Sequence, residues 1–233
     1  MRPVDLCALC LERRELCNSH VISDFLYEAM YDEKHRFHQV TVGEDRARFQ
    51  QSGLREYLLC DACEARLSAW EQYARVVLKG GIELQYSNEH GITWVSGIDY
   101  TKFRLFQLSI LWRAGCAKHR FFENVVLGPH QEHIRRMLIR SDPGHPGLYP
   151  CLMKGLRLEG RVADVVIQPT KVRIANVRGY RFVFGGFLWA YAVARHSLHG
   201  AASAFAIQRN GRMGLVTGDL ETAPFFRKLI SRL

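Results

Sequence analysis

The sequence predicts an α+β protein, and three observations carry that expectation. Two cysteine pairs and a long amphipathic pattern occupy the first eighty residues. Two further helical patterns follow, and beyond Gly147 the chain breaks into short β-branched and aromatic runs separated by turn residues. Segregated helical and strand patterns point to α+β with an antiparallel sheet, not to a regular βαβ series. The 233 residues, 48% of them hydrophobic and 24% charged, describe a chain that buries a core.

Taken in order, Ser23–Tyr31 reads as a short helix capped by Ser23 or Asp24. The polar stretch from Asp32 to Gly53 reads as a loop or loose hairpin. Glu64–Lys79 is an amphipathic helix, with Leu67, Trp70, Tyr73, Ala74 and Val77 at helical spacing and Gly80-Gly81 to end it. Ile82–Tyr86 and Ile92–Val95 flank a turn sequence and predict a hairpin. Tyr100–Ala114 is apolar and predicts a buried helix. Pro129 opens a helix that runs to Arg140.

The remaining runs predict strands at Val162–Gln168, Val172–Asn176, Tyr180–Phe184, Phe187–Val193 and Ala204–Gln208, with Gly185-Gly186 at a bend or bulge. Asn210-Gly211 would join Ala204–Gln208 to Met213–Val216 as a hairpin. A final helix is expected over Ala223–Leu233.

Charge divides the chain. Residues 1–100 hold 11 Lys and Arg against 16 Asp and Glu, whereas residues 101–233 hold 21 against 7, for a net charge of +9. This asymmetry predicts two units, residues 1–80 and a basic α+β unit over 81–233. A basic part of this kind can neutralise phosphates, so a nucleic-acid partner is expected, DNA ahead of RNA. No run of eighteen apolar residues predicts a membrane span, and the first residues lack a secretory apolar segment. The expected compartment is cytoplasmic, where thiols stay reduced and paired cysteines favour metal.

Cys7-Ala-Leu-Cys10 and Cys60-Asp-Ala-Cys63 are two C-x2-C pairs. A two-residue spacer lets both thiolates of a pair reach one ion, and two pairs complete the closed tetrahedral set of a structural Zn²⁺. Cys17 stands apart, although its spacing to His20 would also permit a ligand exchange. Cys116 and Cys151 read as core.

Between the knuckles stands Asn18-Ser19-His20-Val21-Ile22-Ser23, and Glu64 directly follows the second knuckle. The order of knuckle, histidine strand, knuckle and helix resembles the HNH endonucleases of the treble-clef, or His-Me finger, group over about residues 5–75. The resemblance implies a treble-clef fold for residues 1–80. It implies His20 as general base toward water attacking a phosphodiester, and Glu64 as ligand of a catalytic Mg²⁺ or Mn²⁺. Three positions depart from the family pattern. Ser19 replaces an acid, Arg55 replaces an asparagine, and Glu64 replaces a histidine. Two functions therefore stay open: a divalent-metal-dependent nuclease, or a non-catalytic zinc-stabilised module that binds nucleic acid or protein. Glu71, seven residues after Glu64, reads as a solvated helix carboxylate or a second ligand.

In the basic unit, His133, Arg136 and Arg140 form one helical stripe with Arg135 beside it, a pattern that can track a phosphate backbone. Lys171 and Arg173 alternate with Val172 and Ile174, which places both cations on one sheet face. The apolar Tyr100–Ala114 helix is the candidate contact for a protein partner.

Overall fold

The computed structural model of the chain describes residues 2–220 except 45, 195 and 199; the final helix expected over Ala223–Leu233 lies outside the described residues. The strands are β1 (Val4–Leu6), β2 (Arg13–His20), β3 (Phe37–Val40), β4 (Arg48–Gln50), β5 (Arg55–Cys60), β6 (Gln85–Glu89), β7 (Ile92–Ser96), β8 (Cys151–Leu158), β9 (Arg161–Val162), β10 (Val165–Ile174), β11 (Val177–Phe184), β12 (Phe187–Ala192) and β13 (Met213–Asp219). The long helices are α1 (Asp61–Leu78), α2 (Tyr100–Cys116) and α3 (Pro129–Arg140).

The architecture is α+β, as expected. A small sheet runs β1-β2-β5, and a large one runs β4-β3-β10-β11-β12-β8-β13-β7-β6 with β9 on β8. The large sheet is mixed, not purely antiparallel, because β10 pairs β3 in parallel and β13 pairs β8 in parallel. Both parallel contacts join distant segments that no hairpin could link, so local turn signals in the sequence do not announce them.

Helix boundaries follow the physics of their ends. Asp99 caps α2, its Oδ1 accepting from the Lys102 amide at 3.0 Å. Pro129 occupies the first turn of α3, and Ser141 closes it in the left-handed conformation. The second knuckle forms the N-terminus of α1, with Asp61 and Glu64 in its first turn, where the helix dipole favours negative charge.

Several local expectations are corrected. Ser23–Tyr31 forms two 3₁₀ turns, Asp24–Leu26 and Glu28–Met30, and the Ser23 side chain caps neither. Asp32–Gly53 does hold a hairpin, β3–β4, but β3 also docks on β10. Val162–Gln168 and Val172–Asn176 merge into the single long strand β10, with a bulge between Ile167 and Thr170. Ala204–Gln208 is not a strand: Ala201–Ala204 is a helical turn, and Met213 pairs with Val95 of β7 instead. Lys154, Gly155 and Arg157 interrupt the apolar run of β8, so no regular alternation in the sequence announces that strand. At Gly185-Gly186 the bend is a two-residue hairpin turn with φ +62° and +76°, the geometry that suits the twist of β11 and β12.

One hydrophobic core runs from Cys7 and Leu9 through α1, α2 and α3 to Trp189 and Met213. Residues of both expected units contribute to it, and β3 and β4 of the first unit extend the sheet of the second. At its centre lies α2, with 13 of its 17 residues buried. Phe106 meets Phe25 at 5.7 Å and Trp189 of β12 at 6.1 Å between ring centroids. The helix considered as a contact for a protein partner is therefore covered by the chain itself. No helix among the described residues is long and apolar enough to cross a membrane.

Candidate metal centre and the histidine site

The sulfurs of Cys7, Cys10, Cys60 and Cys63 lie within 4.8 Å of one another. Cys7 and Cys10 sit in the turn between β1 and β2, and Cys60 and Cys63 at the join of β5 and α1. The Cys60 amide points at Cys7 Sγ, 3.4 Å away. Burial pushes the Cys7 thiol up, but amide donors from Cys10, Cys60 and Leu9 outweigh it and bring it below its ordinary value. The Cys63 thiol is raised by burial and by the neighbouring Cys7. Four sulfurs this close cannot all ionise side by side unless a cation offsets their repulsion, which is what a metal such as zinc does. The donor set fits that ion.

Cys17 is not a substitute ligand. Its thiol donates to Asp61 Oδ1 at 3.0 Å, and Arg2 reaches the same oxygen at 2.7 Å. Burial and then Asp61 push Cys17 up to about 11. Cys151 is buried as expected, whereas Cys116 is only partly buried.

Arg135 of α3 also serves this centre. Its Nη1 donates to the Leu9 carbonyl between the two cysteines of the first knuckle, at 2.6 Å, while Nε and Nη2 engage Glu132. Its guanidinium is thus committed to the knuckle and half-buried, not free on the phosphate-tracking stripe. Hydrogen bonds from Arg135 and then Arg136 hold the Glu132 carboxyl down at about 2.

His20 ends β2, directly opposite Arg55 of β5. Its Nε2 is buried and lies 3.0 Å from Asp24 Oδ1, an ion pair once the ring is protonated. Burial and then the Arg55 charge lower the affinity of the ring for a proton, Asp24 and Glu71 opposing them. Burial and Arg55 both favour the neutral form of the ring. Beneath the ring lies Gly53, where an added Cβ would stand 3.1 Å from His20 Cδ2.

Glu64, one turn into α1, is half-buried, and its Oε1 has no partner. Burial raises its pKa, while the nearby Ser19 hydroxyl and the charge of Arg113 oppose the rise. Glu71 is not a solvated carboxylate. Its Oε1 lies 2.6 Å from Arg113 Nη2 and accepts from Ser23 Oγ at 2.7 Å. Both His20 and Glu64 feel the charges of Glu71 and Arg113. Among the described residues, the four cysteines are the one group of three or more metal-binding side chains whose donor atoms converge.

Beside this site opens a cavity of about 380 Å³ lined by Asp24, Glu28, Tyr31, His35, Gly53 and Arg55, among others. Tyr31 and His35 stack at its wall, ring centroids 3.7 Å apart. Searches against family models, curated proteins and solved structures find no match to the chain.

Elsewhere, His133, Arg136 and Arg140 do share one exposed face and line a shallow cavity of about 230 Å³ with Met137 and Asp142. Lys171 and Arg173 are both exposed on β10, and Arg178 of β11 pairs opposite Arg173. Sequence reasoning missed Arg113, Ser23 and Asp24. The legible signal was Arg113 itself, a charge in a helix apolar on all sides, which must find a buried partner.

Proposed function

We propose that this chain is a zinc-stabilised nucleic-acid-binding protein that cleaves phosphodiesters at the His20 site. The observation that carries the proposal is the state of His20. It is a partly accessible imidazole at the end of β2, the strand that follows the first cysteine pair, with its Nε2 buried 3.0 Å from Asp24 Oδ1 and its proton affinity lowered by burial and Arg55. A cysteine pair before β2 and another at the join of β5 and α1 support the HNH-like resemblance. In this reading the four thiolates hold Zn²⁺ and lock the unit, because binding energy in such a site is folding energy.

His20 accepts the proton of the attacking water. Asp24, 3.0 Å away, stabilises the imidazolium that results. The Glu64 carboxylate would hold Mg²⁺ or Mn²⁺, an ion that would offset charge on the phosphate. Arg55, 43% exposed beside the cavity, attracts the phosphate backbone. Arg136, Arg140, Lys171 and Arg173 supply further exposed cations.

A second reading is favoured by Ser19. It is buried, and its Oγ donates to the Cys17 carbonyl at 3.3 Å, so it does not take the role of the acid it replaces. A non-catalytic zinc scaffold that binds nucleic acid follows if that acid is indispensable. Cleavage assays decide between them: duplex DNA, single-stranded DNA and RNA, each with Mg²⁺, Mn²⁺ or Ni²⁺. Cleavage that His20→Ala abolishes while zinc content stays unchanged supports the nuclease. No cleavage by wild type under any of these conditions favours the scaffold.

A further inference from the structure

We infer that Arg113 of α2 is the positioning residue of the His20 site, so that the site is completed from outside the cysteine-bearing first eighty residues. The inference rests on the role proposed for His20, and goes beyond it by naming what holds His20 in place.

Arg113 is 1% exposed. A guanidinium removed from water persists only where its donors are used and its charge is met. Here Nη1 donates to the backbone carbonyl of His20 at 2.7 Å. On the other arm, Nη2 meets Glu71 Oε1 at 2.6 Å and the Ser23 hydroxyl at 3.1 Å. Its Nε turns back to the Ser109 carbonyl at 3.3 Å, which fixes the fork on its own helix. One planar group thereby joins α2, α1, the end of β2 and the turn after it. The rigid fork of arginine suits this task, and a lysine could satisfy only part of it.

The carbonyl it grips sits where β2 leaves its sheet. Val21 N already bonds the Leu54 carbonyl at 2.9 Å. With His20 O held by Arg113, the peptide after His20 is held on both sides. The ring then has little freedom, bounded by the clearance over Gly53 and by Asp24. Ser23, which accepts from Arg113 and donates to Glu71, carries the same restraint to Asp24, its neighbour in sequence. The position of a general base matters steeply, since a displacement of about 1 Å can cost about 100-fold in rate.

The test replaces the ion pair without leaving a bare charge. Arg113→Met combined with Glu71→Met in the full chain substitutes an apolar pair of similar length, an exchange that buried ion pairs often tolerate. Zinc content and thermal melting establish that the variant folds. The readout is the nuclear Overhauser contact between His20 Hδ2 and Gly53 Hα, followed by kcat and KM for cleavage. The expected result is retained zinc, loss of that contact, and a kcat lower by about 100-fold at unchanged KM. A double variant with full zinc and the native contact overturns the inference, as does an unchanged kcat. Should the double variant lose zinc, Arg113→Lys takes its place, keeping a charge for Glu71 while losing the fork, and the same two outcomes are read. A wild type that cleaves nothing overturns the catalytic reading alone, because the His20–Gly53 contact still judges Arg113.

Discussion

The guanidinium of Arg135 lies 2.6 Å from the carbonyl of Leu9, so a residue of α3 holds the turn that carries Cys7 and Cys10. Arg66 of α1 repeats the arrangement in reverse, donating to the Ile139 carbonyl at the end of α3 at 2.7 Å. The cysteine centre is thus braced by the basic part of the chain. Arg135→Gln is expected to weaken zinc retention by roughly 10- to 100-fold, the usual effect of removing a group that supports metal ligands. Competition with a chromogenic chelator measures it. Retention equal to wild type would show that the knuckle stands alone.

Purified protein is expected to contain about one zinc per chain, the stoichiometry of a four-thiolate site. Cys60→Ser should lower the melting temperature and release the ion. Elemental analysis and calorimetry check both. Metal-free protein of undiminished stability contradicts the centre.

Nucleic-acid affinity is expected to fall steeply with salt, with a slope of about one for each phosphate contact. Arg136→Glu with Arg140→Glu should weaken binding across all sequences and flatten that slope. Arg135→Gln should affect binding less, since its guanidinium is engaged with Glu132 and Leu9. Fluorescence anisotropy over a salt series separates these effects. Affinity independent of salt would point to a protein partner.

The pH dependence follows from His20, which is held below the ordinary histidine value by burial and by Arg55. Between its folded value and about 6.5, the unfolded chain binds more protons, so stability rises with pH there. The contribution is complete above about 6.5 and is lost as pH falls through the folded value. Cleavage should share an acidic limb below that range. Arg55→Gln removes the second cause and should move the limb upward. An imidazole titration by NMR that places His20 above the ordinary value would refute the assignment.

Gly53→Ala tests the clearance under the ring. The added Cβ would stand 2.7 Å from Tyr27 Cε2 and 3.1 Å from His20 Cδ2. Tyr27 is fully buried and its hydroxyl oxygen accepts from the Leu54 amide at 3.3 Å, so it cannot retreat freely. Overpacking of this kind typically costs about 1–3 kcal/mol. Denaturant unfolding should show that loss, and a fully stable variant would mean the two rings yield.

Local chemistry made much of this protein legible in advance. The C-x2-C spacings identified four sulfurs that do converge, because each pair is set by a single tight turn. Helical periodicity located α1, α2 and α3, and Pro129 and Arg140 mark both ends of α3. Exposure of Lys171 and Arg173 on one strand follows from the two-residue period alone.

Tertiary structure decided the rest, because those features depend on residues far apart in the chain. Nothing near residue 38 announces that β3 will pair with β10, some 127 residues later in register (Val165 with His38). Glu71 looks like a surface carboxylate until Arg113 arrives from α2 to bury it, and Arg135 looks like part of a basic stripe until Leu9 takes its guanidinium. A side chain's charge and a helix's apolar face are written locally. Which partner removes that charge from water is fixed only when the core closes, since the cost of burying an ion depends on what lies across from it.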